Sequence, residues 1–137
     1  MFDIGSSYNR RKDIHEVYGG QEQGGISTPR GSAAIFLFTA QTGADYGYKD
    51  GWNSNGLFLY TGEGQIGDME FSRGNRAIRD HGANGKTLHL FKSLGKGRDY
   101  EYLGQFRCSS WEIKQGLDAN NHPRRIIVFN LVEEKDT

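Results

Sequence analysis

The 137-residue sequence has one cysteine, two prolines, no net charge and no long apolar segment. The single cysteine, Cys108, excludes an internal disulfide framework and fits a reducing compartment. No apolar run is long enough to span a membrane, and the N-terminus lacks the basic and then apolar pattern of a secretion signal. We therefore expect a cytoplasmic protein without a membrane partner. The zero net charge argues against strong, non-specific binding of nucleic acid.

Glycine and aromatic residues are abundant instead, with 20 glycines and 12% aromatic residues. This composition favours short strands and tight turns over long helices, and the length suggests one domain over residues 1–137. Strands are predicted at 33–39, 57–61, 87–92, 100–108 and 126–132, with 110–114 either continuing the fourth or pairing back on it. The fold class predicted is α+β, mainly β: an antiparallel β-barrel with one or two short peripheral helices.

Two short helices are predicted from capping signals and apolar spacing. The first covers 9–17, with Asn9 as its N-cap, a buried stripe of Ile14, Val17 and Tyr18, and a glycine pair at its end. The second covers 75–81. A turn is predicted at 118–123, where asparagine, aspartate and proline cluster.

The charge is unevenly distributed despite the neutral total. Between residues 73 and 98 there are seven basic residues and one acid, Asp80, for a net charge of +6. Such a segment predicts a basic face, which can contact phosphates, although solvated surface residues would give the same pattern. The residues proposed to contact a nucleic-acid backbone are Arg73, Arg76, Arg79, Lys92, Lys96 and Arg98.

The segment from Tyr48 to Gly62 carries the most specific pattern in the chain. Two tyrosines, Tyr48 and Tyr60, lie twelve residues apart, with Asp50 between them. Two aromatic planes and a carboxylate can hold one flat, polar ring, and stacking contributes about 1–3 kcal/mol per base. An acid can accept a hydrogen bond from the exocyclic amine of cytosine or adenine. Each tyrosine taken alone would more commonly belong to a barrel core.

The sequences Gly47-Tyr48, Phe58-Leu59-Tyr60-Thr61-Gly62 and Asn75-Arg76-Ala77-Ile78 resemble the SRA (SET and RING associated) family. The segment 63–69 is more similar to SRA-like modules of bacterial modification-dependent restriction enzymes than to eukaryotic chromatin proteins. The resemblance implies a PUA-like barrel that flips a modified cytosine, 5-methylcytosine or 5-hydroxymethylcytosine, out of double-stranded DNA. It further implies that the chain is a module of a longer restriction protein with a fused nuclease domain, such as one of the HNH type. The resemblance also implies that this parent protein can form a dimer.

The resemblance assigns the base pocket residue by residue. Tyr48 and Tyr60 would sandwich the base, Thr61 and Gly62 would contact its edge, and Gly47 and Trp52 would complete the pocket. The acid of the family lies three residues after the first tyrosine, where this chain has Gly51. Asp50 is then the nearest acid, with Asp45 and Asp68 as alternatives.

No catalytic or metal-binding pattern is present, and no cofactor is expected. The four histidines are isolated from each other, and Cys108 lies on an apolar strand face, which favours a place in the core. The segment 62–67 matches Gly-x-Gly-x-x-Gly but lacks the βαβ context of a dinucleotide site. Two alternatives stay open: an RNA-binding PUA-like module, and an enzyme acting on a small heterocycle through Asp50 or Cys108.

Overall fold

The computed structural model describes residues 2–40 and 49–135. Within these two ranges, eight strands and two short helices form the fold. The strands are β1 (Ser7–Tyr8), β2 (Ile26–Ser27), β3 (Ala34–Thr39), β4 (Gly51–Trp52), β5 (Phe58–Thr61), β6 (Thr87–Ser93), β7 (Tyr100–Leu117) and β8 (Pro123–Glu134). The helices are α1 (Glu16–Tyr18), which continues a π-helical segment at Arg10–His15, and α2 (Arg73–Arg79).

These eight strands belong to one sheet. Its order is β2-β3-β6-β7-β8-β5-β4, and β1 pairs with the start of β7. The predicted mainly β fold with short peripheral helices is confirmed, with one refinement: β3 and β6 are parallel, so the sheet is mixed. Parallel neighbours need a long crossover, and here β4, β5 and α2 all lie between β3 and β6 in the chain.

The hairpin of β7 and β8 is the longest unit of the sheet. The two strands pair from Gln105 opposite Glu134 to Leu117 opposite Pro123. The segment 110–114 therefore continues the preceding strand, across a β-bulge between Cys108 and Ser110. The predicted turn follows: the Asp118 side chain accepts hydrogen bonds from the backbone N–H groups of Asn120 (2.8 Å) and His122 (2.9 Å).

Two apolar clusters fill the two sides of the sheet. One lies under β5 and β8 and includes Ile78 of α2, which anchors that helix. The other is largely aromatic, with Phe36, Phe38, Phe91 and Tyr102 packed around Ile14. The first cluster holds the end of β5 and the segment that follows it against β8, and this region carries the candidate site.

The first helical segment begins and ends as predicted. The Asn9 side chain accepts a hydrogen bond from Lys12 N–H at 2.9 Å, and Gly19 ends the segment with φ +82°. The predicted burial of Val17 is wrong, because that side chain is exposed, whereas Ile14 and the partly buried Tyr18 contact the aromatic cluster. The wider turn of a π-helix moves residue 17 away from the face of residue 14.

The second helix begins two residues before the predicted start, at Arg73, and ends at Arg79. No helix among the described residues is long and apolar enough to cross a membrane.

Candidate functional site

A cavity of about 280 Å³ lies between the end of β3, the end of β5 and the segment that follows β5. Four of the residues predicted from sequence line it together: Asp50, Tyr60, Thr61 and Gly62. Thr39, Gly25 and Arg124 are among the other lining residues. The volume is close to the lower end of ligand pockets, roughly 300 Å³.

Asp50 is held at the cavity wall by two strands. Its Oδ2 accepts the hydroxyl hydrogen of Thr39 at 2.6 Å, and its Oδ1 accepts the backbone N–H of Thr61 at 2.7 Å. Burial raises the pKa of Asp50, and these hydrogen bonds only partly oppose that effect. A carboxylate has about four acceptor positions. The Thr61 side chain adds a third hydrogen bond. These three bonds fix the group and leave about one acceptor position for a ligand.

The acids considered for contact with the base edge lie at different places in the structure. Gly51, where the SRA pattern has its acid, is the first residue of β4 and pairs with Leu59. Asp50 immediately precedes that strand, so its side chain reaches the cavity from one residue earlier. Asp68 is engaged elsewhere, because it accepts the backbone N–H of Arg125 at 2.7 Å and pairs with the Arg125 guanidinium at 3.0 Å. Asp45 lies outside the described residues.

Tyr60 forms the floor of the cavity. Its hydroxyl lies 2.7 Å from the carbonyl oxygen of Gly25 and 3.1 Å from that of Phe38, so it links β5 to β3 and to the residue that precedes β2. Burial raises its pKa well above the usual value, which keeps the phenol protonated. Only 2% of the residue is exposed. The predicted partner, Tyr48, lies outside the described residues, as does Gly47.

Asn75 fixes the backbone of the segment after β5. Its Oδ1 accepts Glu63 N–H at 2.8 Å, and its Nδ2 donates to the carbonyl oxygens of Glu63 (2.9 Å) and Glu70 (3.0 Å). A Cβ atom on Gly62 would lie 2.8 Å from Asn75 Oδ1, so only glycine fits there without a shift. The Asn-Arg-Ala-Ile segment thus supplies a buried residue that positions the cavity wall.

Arg124 is a buried lining residue that the sequence prediction missed. Its Nη1 donates to the carbonyl oxygens of Gly64 at 2.7 Å and Gly67 at 3.2 Å, which holds the same segment from the side of β8. The signal was present in the sequence: alternation along β8 places residue 124 on the same face as Ile126 and Val128.

Trp52 does not line this cavity. It borders a neighbouring cavity of about 440 Å³, which shares Thr39 and Asp50 with the first and also contains Lys92 and Glu101. Its ring packs edge-on against Phe58, with the ring centroids 5.4 Å apart.

The predicted basic residues fall into two groups. Arg73 and Arg76 line a polar cavity of about 660 Å³ that shares Glu63 with the Asp50 cavity. Arg79 is held by Asp80 through two hydrogen bonds of 2.8 and 3.0 Å, and its guanidinium lies 4.9 Å from the centre of the Phe71 ring. The second group consists of Lys92 at the end of β6, with Lys96 and Arg98 in the exposed turn before β7.

The groups considered for catalysis are poorly placed for it. Burial raises the pKa of Cys108 to about 11, so its thiolate is scarce at neutral pH, and Cys108 does not line the Asp50 cavity. Burial also lowers the pKa of His89 to about 4, within the aromatic cluster. Among residues 2–40 and 49–135 no three His, Cys, Asp or Glu side chains cluster as metal ligands.

The sequence matches the family model of the ScoMcrA-like SRA domain over residues 4–135. The chain belongs to this family. The comparison with curated proteins gave no match.

Solved structures agree with this SRA assignment at the level of fold. The sulfur-binding and SRA domains of ScoMcrA, complexed with phosphorothioated DNA, match with a TM-score of 0.78 at 23% identity, over 99% of this chain and 41% of theirs. The ScoMcrA type IV phosphorothioation-dependent restriction endonuclease matches equally well, with 29% of its chain covered. The SUVH5 SRA domain in complex with hemi-methylated CG DNA gives 0.72 at 17% identity, over 99% and 91% of the chains.

The present chain therefore spans less than half the length of the ScoMcrA chains that it matches. Within the SRA fold, the predicted residues separate into a cavity set, Asp50, Tyr60, Thr61 and Gly62, and two peripheral basic groups. Trp52 lies between the cavity set and the second basic group, which includes Lys92.

Proposed function

We propose that this SRA domain recognises a modified cytosine, 5-methylcytosine or 5-hydroxymethylcytosine, in double-stranded DNA by taking the flipped base into the Asp50 cavity. The observation that carries the proposal is the partly buried Asp50 carboxylate, fixed at the wall of a cavity that Tyr60, Thr61 and Gly62 also line. Structures of SUVH5 SRA domains with methylated and hydroxymethylated CG DNA support this choice of ligand.

The acid supplies the selectivity for cytosine over thymine. Cytosine presents an exocyclic amine at C4, whereas thymine presents a carbonyl oxygen there. A fixed carboxylate oxygen accepts a hydrogen bond from the amine and repels the carbonyl oxygen. The backbone N–H groups of Thr61 and Gly62 already donate to Asp50 and to the Ile127 carbonyl oxygen. These two residues would therefore contact the base through other atoms.

Stacking on two tyrosine rings would offset the free-energy cost of flipping the base, which is a few kcal/mol. Tyr60 contributes the floor of the cavity and Tyr48 the opposite plane in this proposal, by stacking of about 1–3 kcal/mol per base. Because the Tyr60 hydroxyl is tied to the Gly25 and Phe38 carbonyl groups, the floor is rigid before the base arrives. A rigid floor lowers the ordering cost of binding.

The two basic groups would hold the DNA backbone around the cavity. Arg73 and Arg76 lie beyond Glu63, while Lys92, Lys96 and Arg98 lie at the other side, near the β6–β7 turn. Phosphate contacts position a protein on the duplex without reading its sequence. This division leaves recognition to the cavity and affinity to the basic groups.

We further propose that the domain is a non-catalytic module of a cytoplasmic, modification-dependent restriction protein with a fused nuclease domain, such as one of the HNH type. The similarity to ScoMcrA, a restriction endonuclease that is much longer than this chain, supports the proposal. The unfavourable pKa of Cys108 argues against the alternative of an enzyme that uses this thiol on a small heterocycle.

Binding to a set of matched duplexes tests the function. The duplexes share one sequence and carry cytosine, 5-methylcytosine, 5-hydroxymethylcytosine, glucosylated cytosine or N6-methyladenine at one position. We expect the two modified cytosines to bind more tightly than cytosine. Asp50→Asn should weaken binding to the duplexes with modified cytosine by about 10–100-fold, the value of a hydrogen bond to a charged group, and bring their affinity closer to that of unmodified DNA held by the basic groups alone. Asp68→Asn is the matched control and should keep the preference.

Two further duplexes and one RNA separate the alternatives. A phosphorothioate duplex without base modification that binds better than 5-methylcytosine DNA would contradict base recognition, and so would equal affinity for all duplexes. Preference for single-stranded RNA would favour the RNA-binding alternative. A 2-aminopurine placed next to the modified cytosine should brighten on binding, because flipping unstacks its neighbour; unchanged fluorescence would exclude flipping.

A further inference from the structure

The C-terminal half of β7 has one edge that no described strand covers. β7 pairs with β8 on one side as far as Leu117, but on the other side β6 and β1 reach only to Phe106. For residues 109–117, called the open edge below, no strand within 2–40 or 49–135 lies on the side away from β8. An open strand edge is a template for pairing with another chain.

The open edge also exposes large apolar side chains. Trp111, Ile113 and Leu117 are 42%, 50% and 50% exposed, and their spacing of two and four residues places them on one face of the strand. Natural edge strands are normally protected by charge, by proline or by covering elements. This edge carries one charge of each sign, Glu112 and Lys114, which pair with each other between the exposed apolar residues. A row of exposed apolar residues on an edge strand is typical of a contact surface.

Hydrogen bonds of β8 show which backbone groups of β7 point outward. The Ile127 carbonyl oxygen accepts Gly62 N–H at 2.8 Å, and its N–H points to Met69 Sδ at 3.3 Å, so both groups face away from β7. Ile113, which is opposite Ile127, is therefore in a non-hydrogen-bonded pair. Its own N–H and C=O consequently point to the open edge, and alternation gives Trp111 the same orientation.

We propose that a second copy of this chain pairs antiparallel with the open edge, on a twofold axis at Ile113. Residues whose N–H and C=O groups point to the open edge must pair with the same kind of residue in the second copy. In a twofold-symmetric pair this requires that the axis pass through a residue and not between two residues. Centring on Glu112 places two carboxylates opposite each other, and centring on Lys114 places two ammonium groups together. Only the Ile113 register sets Glu112 of each copy opposite Lys114 of the other.

The Ile113 register satisfies the other requirements of a strand pair. The two copies of Ile113 would exchange two N–H···O bonds, which makes the flanking Glu112–Lys114 pairs non-hydrogen-bonded, the arrangement with the closer side chains. Lys114 already contacts Glu112 of its own chain at 3.4 Å, and the second copy adds another carboxylate. Trp111, Ile113 and Leu117 of both copies would form one continuous apolar patch across a symmetric interface.

Sedimentation equilibrium of the whole chain, without DNA, tests this inference independently of the proposed function. We expect the measured mass to rise to that of two chains as the protein concentration is increased to about 1 mM. Glu112→Lys or Lys114→Glu alone should raise the dimer dissociation constant about tenfold or more, because twofold symmetry turns two attractive pairs into two repulsive ones. The double variant Glu112→Lys/Lys114→Glu should restore the original constant.

Substitution at the axis provides the second test. Ile113→Lys should give monomers, whereas Ile4→Lys, at another exposed isoleucine, should leave the mass unchanged. Circular dichroism shows whether each variant is folded. A monomeric wild-type chain over the whole concentration range would overturn the inference. Failure of the double variant to recover, or dissociation by Ile4→Lys, would overturn it as well.

Discussion

The Asp50 cavity and the basic groups around it are built in opposite ways. The two central side chains of the cavity are fixed by hydrogen bonds: Asp50 by Thr39 and Thr61, and Tyr60 by Gly25 and Phe38. The side chains of Arg73 and Arg76 are exposed on α2. A preorganised site discriminates between ligands because its groups cannot adapt, whereas exposed cations attract any phosphate.

This difference predicts a division between stability and affinity. Changes in the cavity should alter folding and selectivity together, because its hydrogen bonds join β3, β5 and the segment after β5. Changes on α2 should alter overall DNA affinity and leave selectivity in place. The three predictions below test this division.

Asn75→Ala should have the largest effect. It removes a buried side chain with three hydrogen bonds to Glu63 and Glu70, and we expect a loss of about 1–3 kcal/mol in the free energy of unfolding. Denaturant unfolding measures it, and the preference for modified DNA should fall in the folded variant. Asn84→Ala, at an exposed position just after α2, is the matched control. A loss as small as that of the control would mean that Asn75 does not position the cavity wall.

Asp50→Asn should have a smaller effect on stability, with a sign that depends on pH. Burial raises the pKa of Asp50 in the folded state above its unfolded value. The wild type then benefits fully from Asp50 only below the unfolded pKa, near 3.8, and loses this contribution as the pH rises through the folded pKa. Relative to wild type, Asp50→Asn should therefore become more stable between pH 3 and 7.

Unfolding free energies of both proteins across that range provide the measurement. If the stability of the variant relative to wild type stays constant, or falls as the pH rises, the pKa of Asp50 is not raised. The expected result has a functional meaning, since an ionised carboxylate that costs stability in the free protein is one that a ligand amine can use.

Local patterns in the sequence predicted most of the elements and part of the site. Alternation located the start of β7, and the Tyr-Thr-Gly sequence located the end of β5 beside the cavity. The parallel pairing of β3 and β6 could not be predicted in this way, because strand order depends on contacts between distant parts of the chain. Alternation along β8 indicated that Arg124 is buried, but its hydrogen bonds could not be predicted for a related reason: its partners, Gly64 and Gly67, lie about 60 residues earlier.

The identity of the acid at the cavity also could not be predicted from sequence spacing, although here the residues concerned are neighbours in the chain. The spacing of the family pattern places the acid at position 51, where this chain has Gly51. Whether the side chain of Asp50 faces the cavity instead depends on where β4 begins. Trp52, two residues later, was grouped with the pocket and instead borders the neighbouring cavity. Within a segment that combines a loop with a two-residue strand, spacing alone does not determine direction.

Arg76→Ala should have the smallest effect and the least selective one. The Arg76 side chain is exposed beside Glu63 and Asp80, so its loss should weaken modified and unmodified duplexes by the same factor. The slope of log affinity against log salt should fall by about 1, as for the loss of one phosphate contact. Arg79→Ala is the comparison within the same helix. Since Asp80 and Phe71 already hold that guanidinium, it should change the slope less. If Arg76→Ala lost affinity for modified DNA alone, or if Arg79→Ala changed the salt slope more, Arg76 would not contact the DNA backbone. Either result would contradict the division between a selective cavity and an unselective helix.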